Sequence, residues 1–451
     1  MNSPCLKALI LTFLFMSSQV YSQIPGEVVT FDTGLSSISA AEVGDVDNDG
    51  DIDLLICSEE EDLIVILRND GTFLHLEEFM QVDNPSGIGI ADLNQDSQVD
   101  YFYSSSTSGG LQFYYGITPD FPDGSTLKIF EDDLSAVSDF EILNKNNGSL
   151  VLASSKENNL VYFFNTFGGS MFFLGYTLTT TPFTFDDVVQ SSSLLINDTL
   201  NYYIADANSQ SIVLLSFTGN QSIFALEEEN NIISGINQLG GITSLASDDE
   251  MTDFHLVSNT QAGSITKYTS GPGGYTPELF DDELINPGLL YLKDITQDDK
   301  EDLFVIDGNV VWMYDGDLVR NNNKDKTKIT EEGGNIKQLL FTDFNSDGSN
   351  DIIIVPENSG KIKILSNAPL SSNNSLDIME IDLFPNPVSD YINLDINQLP
   401  DKLNLLDLNG RVYTVNVKNK NIYVGDFTNG IYLLYYKIDG QIFQTKIVII
   451  N

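Results

Sequence analysis

Four aspartates in the stretch GDVDNDGDIDLLI, Asp45, Asp47, Asp49 and Asp53, stand at alternating positions just ahead of a short apolar run. Four carboxylates gathered in one loop repel each other unless a cation sits among them. A hard divalent ion such as calcium takes six to eight oxygens from carboxylates, carbonyls and water in a flexible shell. Counting Asp45 as position 1, positions 1, 3, 5 and 9 supply side-chain oxygens, and position 7, Asp51, offers its carbonyl. Gly50 at position 6 permits the sharp turn that brings these oxygens together.

The pattern recurs three times. ADLNQDSQVDYFY places Asp92, Asn94, Asp96 and Asp100 at positions 1, 3, 5 and 9, with Gln98 at position 7. TDFNSDGSNDIII places Asp343, Asn345, Asp347 and Asp351, with Ser349 at position 7. KDITQDDKEDLFV is the weakest copy: Asp294, Asp298 and Asp302 are joined by Thr296 at position 3 and Lys300 at position 7, and Asp299 replaces the glycine. About four calcium sites are expected, each with an Asx-rich turn as the metal-free alternative. An EF-hand is excluded, because position 12 would need Glu and flanking helices, whereas Ile56 and Ile354 lie within β-type runs.

Something must position these loops, and their spacing identifies it. The anchors Asp45 and Asp92 are 47 residues apart, and Asp294 and Asp343 are 49 apart. Such a period marks a repeat architecture. Each loop is followed by a strand, a turn and a strand, as in IDLLICS and DLIVILR. Three more units, SLVLASSKENNLVYFFN, LNYYIADANSQSIVLLSF and TDFHLVSNTQAGSITKY, keep the strands and lose the ligands. Anchors near residues 45, 92, 139, 187, 245, 294 and 343 give seven units, with an insertion of about ten residues expected around EEENNIISGINQLGG. The expected fold class is all-β: a seven-bladed β-propeller followed by a small β-sandwich. A linear solenoid is the alternative. The last unit lacks a fourth strand, and EVVTF (27–31) has no unit of its own, so residues 27–31 are expected to pair with 361–367 and close the ring.

The chain has 451 residues, with 21 Lys+Arg against 66 Asp+Glu and a net charge of −45. That balance argues against nucleic acid and anionic membranes as partners. Residues 1–22 read as a secretory signal peptide, and no other run is long and apolar enough to span a membrane. Cys5 would leave with the signal, so Cys57 has no partner for an internal disulfide. The propeller is expected over 23–367 and a polar linker over 368–380. Residues 381–451 hold seven Asp, no Glu and six Lys+Arg, so the acidity belongs to the propeller region. This tail carries its own strand pattern, YINLDI, LNLLDLNG, RVYTVNV, NIYVGDF, GIYLLYYKIDG and QIFQTKIVII, with DLNG and IDG as hairpin turns.

The acidic repeats resemble the FG-GAP or VCBS repeats of integrin-α-like β-propellers, in which the loop between the first two strands of a blade binds calcium. The resemblance is carried by four loops; the units near 139, 187 and 245 depart from the motif. The tail is similar to the type A sorting domain of the Bacteroidetes type IX secretion system, through LFPNPVSDYINL, DLNGRVY and NGIYLLYYKIDGQIFQTKIVI. That resemblance implies passage through the periplasm and over the outer membrane, engagement of the secretion machinery, and removal of the tail on release or surface attachment.

Catalytic signals are thin. His75 in FLHLEEF reads as solvent-facing on an outer strand and His255 in DFHLV as packed between blades. Trp312 reads as core, and the basic stretch near Lys324 as a solvated loop. No nucleophile elbow, HExxH or P-loop occurs. The sequence therefore points to a secreted or surface-displayed calcium-binding propeller that acts as a binding or adhesion module toward an extracellular protein or glycan. An extracellular polysaccharide-degrading lyase or hydrolase is the alternative. A deep axial pocket uniting His, Tyr and Arg would favour that enzyme.

Overall fold

The computed structural model describes residues 28–69, 74–92, 99–105, 107, 111–114, 126–128, 137–145, 148–155, 161–167, 170–172, 187–196, 199–218, 225–246 and 253–367, and in the tail 379–380, 383–384, 387–394, 402–407, 412–418, 420–438 and 441–450. The expected signal peptide, and the linker apart from Met379–Glu380, lie outside them.

Seven four-stranded antiparallel sheets follow each other along the chain. Blade 1 is made of Ala40–Gly44, Asp53–Ser58, Leu63–Asn69 and Leu74–Gln81, and the later blades repeat this order. The second strands, such as DLLICS, DYFYSS and DLFVID, are buried at every position because both of their faces are covered. Such strands read as continuous apolar runs and do not alternate. The apolar clusters lie between blades: one joins Leu54, Ile56 and Val65 of blade 1 to Leu340, Ile353 and Ile362 of blade 7. First strands touch around the axis, and the ring completes where Ile336–Thr342 meets Ala40–Gly44. Six of the seven blades carry a register shift at the entry of the first strand.

Closure follows the expected pairing. Val28–Asp32 runs antiparallel to Lys361–Leu365, with Val28 opposite Leu365 and Asp32 opposite Lys361, as the fourth strand of blade 7. The pairing continues one residue on, where Thr33 donates from its amide (2.9 Å) and its hydroxyl (2.6 Å) to the Gly360 carbonyl.

One expectation is corrected. EEENNIISGINQLGG is not an inserted loop. Ala225–Ser234 is the long fourth strand of blade 4, and Leu239–Ala246 already begins blade 5. The long gap arises because the first strand of blade 4 is Val188–Ile196, so the turn into its second strand, Thr199–Asp206, falls after Ile196 and not near 187; two register shifts against Ser211–Thr218 accommodate the long fourth strand. A run of three Glu and two Asn has no apolar alternation, so its composition imitated a loop.

The tail forms one sheet folded over itself, in the order Met379–Glu380, Gln441–Ile449, Gly430–Ile438, Lys402–Asp407, Val412–Lys418, Asn421–Tyr423, Tyr391–Leu394 and Leu383–Phe384. Val412–Lys418 belongs to both leaves, pairing with Lys402–Asp407 along its length and with Asn421–Tyr423 at its end. The sandwich closes on Ile392, Leu405, Ile422, Leu434, Ile447 and Ile449, all buried.

Candidate metal centre

Each acidic loop leaves the end of a first strand and enters a second strand, so all of them lie on one rim. The loops of blades 1, 6 and 7 share one backbone. The position-1 carboxylate spans the turn: Asp45 accepts the amides of Asp49 and Gly50 (both 3.1 Å), Asp294 those of Asp298 (3.2 Å) and Asp299 (3.0 Å), and Asp343 those of Asp347 (2.9 Å) and Gly348 (2.8 Å). The position-5 carboxylate accepts the position-7 amide in Asp49–Asp51, Asp298–Lys300 and Asp347–Ser349. Position 6 adopts φ of 96° at Gly50 and 91° at Gly348, and Asp299 takes 65° in the same place. Asx residues tolerate the left-handed region, so the sixth loop keeps its shape without glycine.

Position 9 does a second job. Asp53, Asp302 and Asp351 are almost wholly buried, and each ties the loop to the end of its blade's third strand. Asp53 accepts Val46 N (2.8 Å) and Asn69 N (2.9 Å). Asp302 accepts Ile295 N, Thr296 N and Gly316 N, and Asp351 accepts Phe344 N, Asn345 N and Asn367 N. Burial raises the pKa of Asp53 and Asp351 to about 6 against the lowering effect of these amides, and raises that of Asp302 as well. An ionised carboxylate has about four lone-pair sites, so the amide bonds leave room for a cation.

The fit to a metal rests on convergence and on unmet oxygens. In blade 1, oxygens of Asp45, Asp47 and Asp49 lie within 4.8 Å of one another. Asp47 Oδ2 pairs with Arg68 Nη1 at 2.5 Å, but Asp47 Oδ1 is buried without a hydrogen-bond partner, as is Thr296 Oγ1 at the same position of the sixth loop. A buried polar oxygen with no donor is costly unless something else satisfies it, and a calcium ion is such a partner. In blade 6 the converging carboxylates are Asp298, Asp315 and Asp317, with Lys300 paired to Asp317. Asp315 and Asp317 escaped the sequence reading because they sit after the third strand, where Asp315 caps the short helix Gly316–Arg320. In blade 2, Asp92 and Asp100 are described, with Asp100 fully buried; Asn94, Asp96 and Gln98 lie outside the described residues.

Neighbouring loops are also bonded to one another, which no linear pattern reveals. Gln297 Nε2 of loop 6 donates to Gly348 O and Ser349 Oγ of loop 7 (both 3.1 Å), and Ser346 Oγ of loop 7 donates to Asp51 Oδ1 of loop 1 at 3.3 Å. Asn69 Nδ2 reaches from blade 1 to Phe344 O of loop 7 (2.8 Å), and Asn367 Nδ2 from blade 7 to Ile295 O of loop 6 (2.9 Å).

The family comparisons agree with this geometry. The model described as FG-GAP-like repeat matches residues 45–103, and the model described as secretion system C-terminal sorting domain matches residues 382–451. The chain carries an FG-GAP-like repeat and a secretion-system sorting tail. It is an exported repeat protein whose tail directs it to secretion or the cell surface and engages the type IX machinery. No curated protein matches the chain. Among solved structures it is similar to BBS1N, crystallised in complex with ARL6DN and soaked with mercury, at 12% identity and a TM-score of 0.51, over 78% of this chain and 98% of that one. Saccharomyces cerevisiae Sqt1 matches at 12% identity and a TM-score of 0.47, over 72% and 83%. At 12% identity the first likeness is one of fold alone. No helix among the described residues is long and apolar enough to cross a membrane.

Outside the acidic loops, the described candidate residues are held by packing or by ion pairs. His255 is fully buried, with Nδ1 2.9 Å from Ser244 Oγ and its ring 4.2 Å from that of Tyr203 and 4.9 Å from that of Tyr275. Both tyrosine hydroxyls donate to Asp253 Oδ2 (2.6 and 3.0 Å). Asp253 begins the second strand of blade 5, as Asp53 does in blade 1, and here two tyrosine hydroxyls are among its donors. The side chain of His75 lies outside the described set. Trp312 is partly buried and donates Nε1 to Asp307 Oδ2 at 3.2 Å. The basic stretch near Lys324 is more than a solvated loop: Lys326 pairs with fully buried Asp281 at 2.5 Å, and Lys324 with Asp282 and Glu283. Cys57 is buried, and burial pushes its thiol up to about 12, which makes it an inert core residue.

Proposed function

We propose that the propeller is an extracellular binding or adhesion module whose acidic loops hold calcium as structural clips, delivered by the signal peptide and the type IX tail. The observation that carries this reading is the convergence of Asp45, Asp47 and Asp49 around the partnerless Asp47 Oδ1. Asp45 and Asp49 would add carboxylate oxygens, Asp51 its carbonyl, and Asp53 a buried carboxylate already fixed by amides. Corresponding ligands are Asp92, Asn94, Asp96, Gln98 and Asp100 in loop 2, Asp294, Thr296, Asp298, Lys300 and Asp302 in loop 6, and Asp343, Asn345, Asp347, Ser349 and Asp351 in loop 7. Bound calcium would supply charge neutralisation and rigidity to that rim, leaving the opposite rim free for recognition.

A cation that binds the folded state alone stabilises it by about 2.7 kcal/mol per site at a hundredfold excess over Kd. Chelation should therefore lower the melting temperature of the mature protein by several degrees, and calcium should restore it. A melting curve indifferent to chelator would overturn the metal reading. Screening the same protein against extracellular glycans and proteins, with and without calcium, identifies the ligand. The polysaccharide-degrading reading gains no support from the axial cavity, whose described lining holds no His, Tyr or Arg.

A further inference from the structure

The rim opposite the acidic loops carries a cavity of about 510 Å³ on the axis, formed where first strands begin and second strands end in blades 1, 5, 6 and 7. Its size falls in the usual range for ligand pockets, roughly 300–1,000 Å³. The floor is aliphatic, from Ile38, Ile306 and Ile336, and the rim carries Glu59, Glu60 and Glu357 against Lys337 alone. Lys337 Nζ is turned to the Ile38 carbonyl at 3.3 Å. Glu357 is held in place by Asn335 Nδ2 at 3.0 Å, and Glu60 by the Ser36 hydroxyl.

Among the described lining residues there is no aromatic ring, the flat platform on which a sugar stacks. Three carboxylates exclude an anionic ligand. An aliphatic floor under a carboxylate rim matches an apolar stem that ends in a cation, which is the anatomy of lysine and arginine side chains. Beside this mouth stands Ile285, 86% exposed, the largest exposure among the large hydrophobic residues described. Its loop is rigid: Ile285 N (2.9 Å) and Asn286 N (2.5 Å) donate to Asp307 Oδ1, Leu284 N donates to Gly263 O, and Gly308 N donates to Asn286 O. An apolar side chain held out in water beside an acidic pocket is an anchor for a partner, not part of this chain's core.

We infer that the axial cavity captures a lysine or arginine side chain from an exposed segment of an extracellular protein, with an adjoining apolar residue of that segment packed on Ile285. This builds on the reading of the ring as a binding module and names its face and ligand class. The acidity of the whole ring favours the encounter and the cavity supplies the specificity.

The test titrates the mature, calcium-loaded protein with the blocked dipeptides acetyl-Leu-Arg-amide, acetyl-Leu-Lys-amide, acetyl-Gly-Arg-amide and acetyl-Leu-Glu-amide, by calorimetry at physiological ionic strength. Both Leu-containing basic dipeptides should bind, the Gly-Arg form more weakly, and the acidic one not at all. Glu59→Gln with Glu357→Gln should weaken Leu-Arg by about tenfold per carboxylate, the equivalent of a charged hydrogen bond. Ile285→Ser should weaken Leu-Arg to the level of Gly-Arg. The control pair Glu278→Gln with Glu301→Gln, exposed carboxylates outside the cavity, should change nothing. Equal losses in both pairs would reduce the effect to bulk charge and overturn the proposal, as would binding of the acidic dipeptide or no binding of the basic ones. Melting curves with and without chelator on the same samples report the calcium reading separately: a calcium-responsive ring that ignores the basic dipeptides sinks the cavity proposal alone.

Discussion

Replacing Asn69 by alanine tests how the blades are locked on the rim of the acidic loops. The Asn69 side chain is 8% exposed and donates to Ile52 O at 3.2 Å within its own loop and to Phe344 O at 2.8 Å in the loop of blade 7. Alanine removes both bonds and leaves the two carbonyls without that donor. Each buried group so abandoned costs about 1–3 kcal/mol, so Asn69→Ala should cost roughly 2–4 kcal/mol, allowing for partial relaxation. The backbone amide of Asn69 keeps its bond to Asp53, so the loop of blade 1 stays tethered and the loss is confined to the contact between blades. With unfolding entropy near 2.1 cal/mol/K per residue, 1 kcal/mol is worth roughly 1.5 °C in a ring of this length, and melting should fall by about 3–6 °C. Asn367→Ala removes the single equivalent bond to Ile295 O and should cost about half as much. Asn69→Asp, which turns acceptors toward the two carbonyls, should be worse than alanine. Differential scanning calorimetry in calcium ranks the three variants. If Asn69→Ala melts with the wild type, or Asn69→Asp melts above Asn69→Ala, the interblade lock is wrong.

Three further outcomes are expected. Arg68 neutralises Asp47 when no cation is present, so Arg68→Gln should lower stability by about 1 kcal/mol in chelator and much less in calcium, read from paired melting curves. Truncating the closing strand's contacts with Val29→Ala and Phe31→Ala together should cost roughly 2–4 kcal/mol, since both side chains are partly buried in the cluster shared by blades 7 and 1; a synthetic peptide of residues 27–33 should not compete with the intact strand but should rescue a chain lacking it. For Asp253, burial works to raise the pKa, but the neighbouring His255 and Ser270 side chains and the Tyr203 hydroxyl outweigh it and the carboxyl is held below its ordinary value. A depressed folded pKa stabilises the protein above the unfolded value near 4, and the effect is lost as pH falls through the folded value. The stability gap between wild type and Asp253→Asn, measured by urea titration, should therefore be full at pH 7 and shrink progressively below about pH 4.

The repeat was legible because its physics is local. The alternation Asp45, Asp47, Asp49, Asp53 sits within one loop, the apolar runs that follow are strands buried on both faces, and the orphan strand at residues 28–32 had only one edge left to fill. What stayed hidden depends on neighbours distant in sequence. Asp315 and Asp317 join Asp298 only because the third strand of blade 6 returns to the loop, and Gln297, Ser346, Asn69 and Asn367 look like ordinary loop polar residues until the ring brings successive blades together. His255 was read correctly as packed, but its partner Tyr203 lies in blade 4, beyond any local pattern. The strand Ala225–Ser234 was missed for the opposite reason: its Glu and Asn residues carry no apolar periodicity, and pairing with Ser211–Thr218 overrides their weak β propensity.

The two rims are mechanically linked because each hairpin has two ends. Asp53 at the start of the second strand in blade 1 anchors the acidic loop, and Glu59 just past its end reaches the axial cavity, with only the fully buried run Leu54–Ser58 between them. The same holds in blade 7, from Asp351 through a buried run to Glu357. A buried strand packed on both faces does not flex along its length, so fixing its first residue also fixes where the carboxylate beyond its last residue points. The loop network therefore sets the geometry of the opposite mouth through two rigid struts, without any residue shared between the two sites. Stiffening the acidic rim would then sharpen recognition on the other face chiefly by reducing the ordering that a ligand must impose on it.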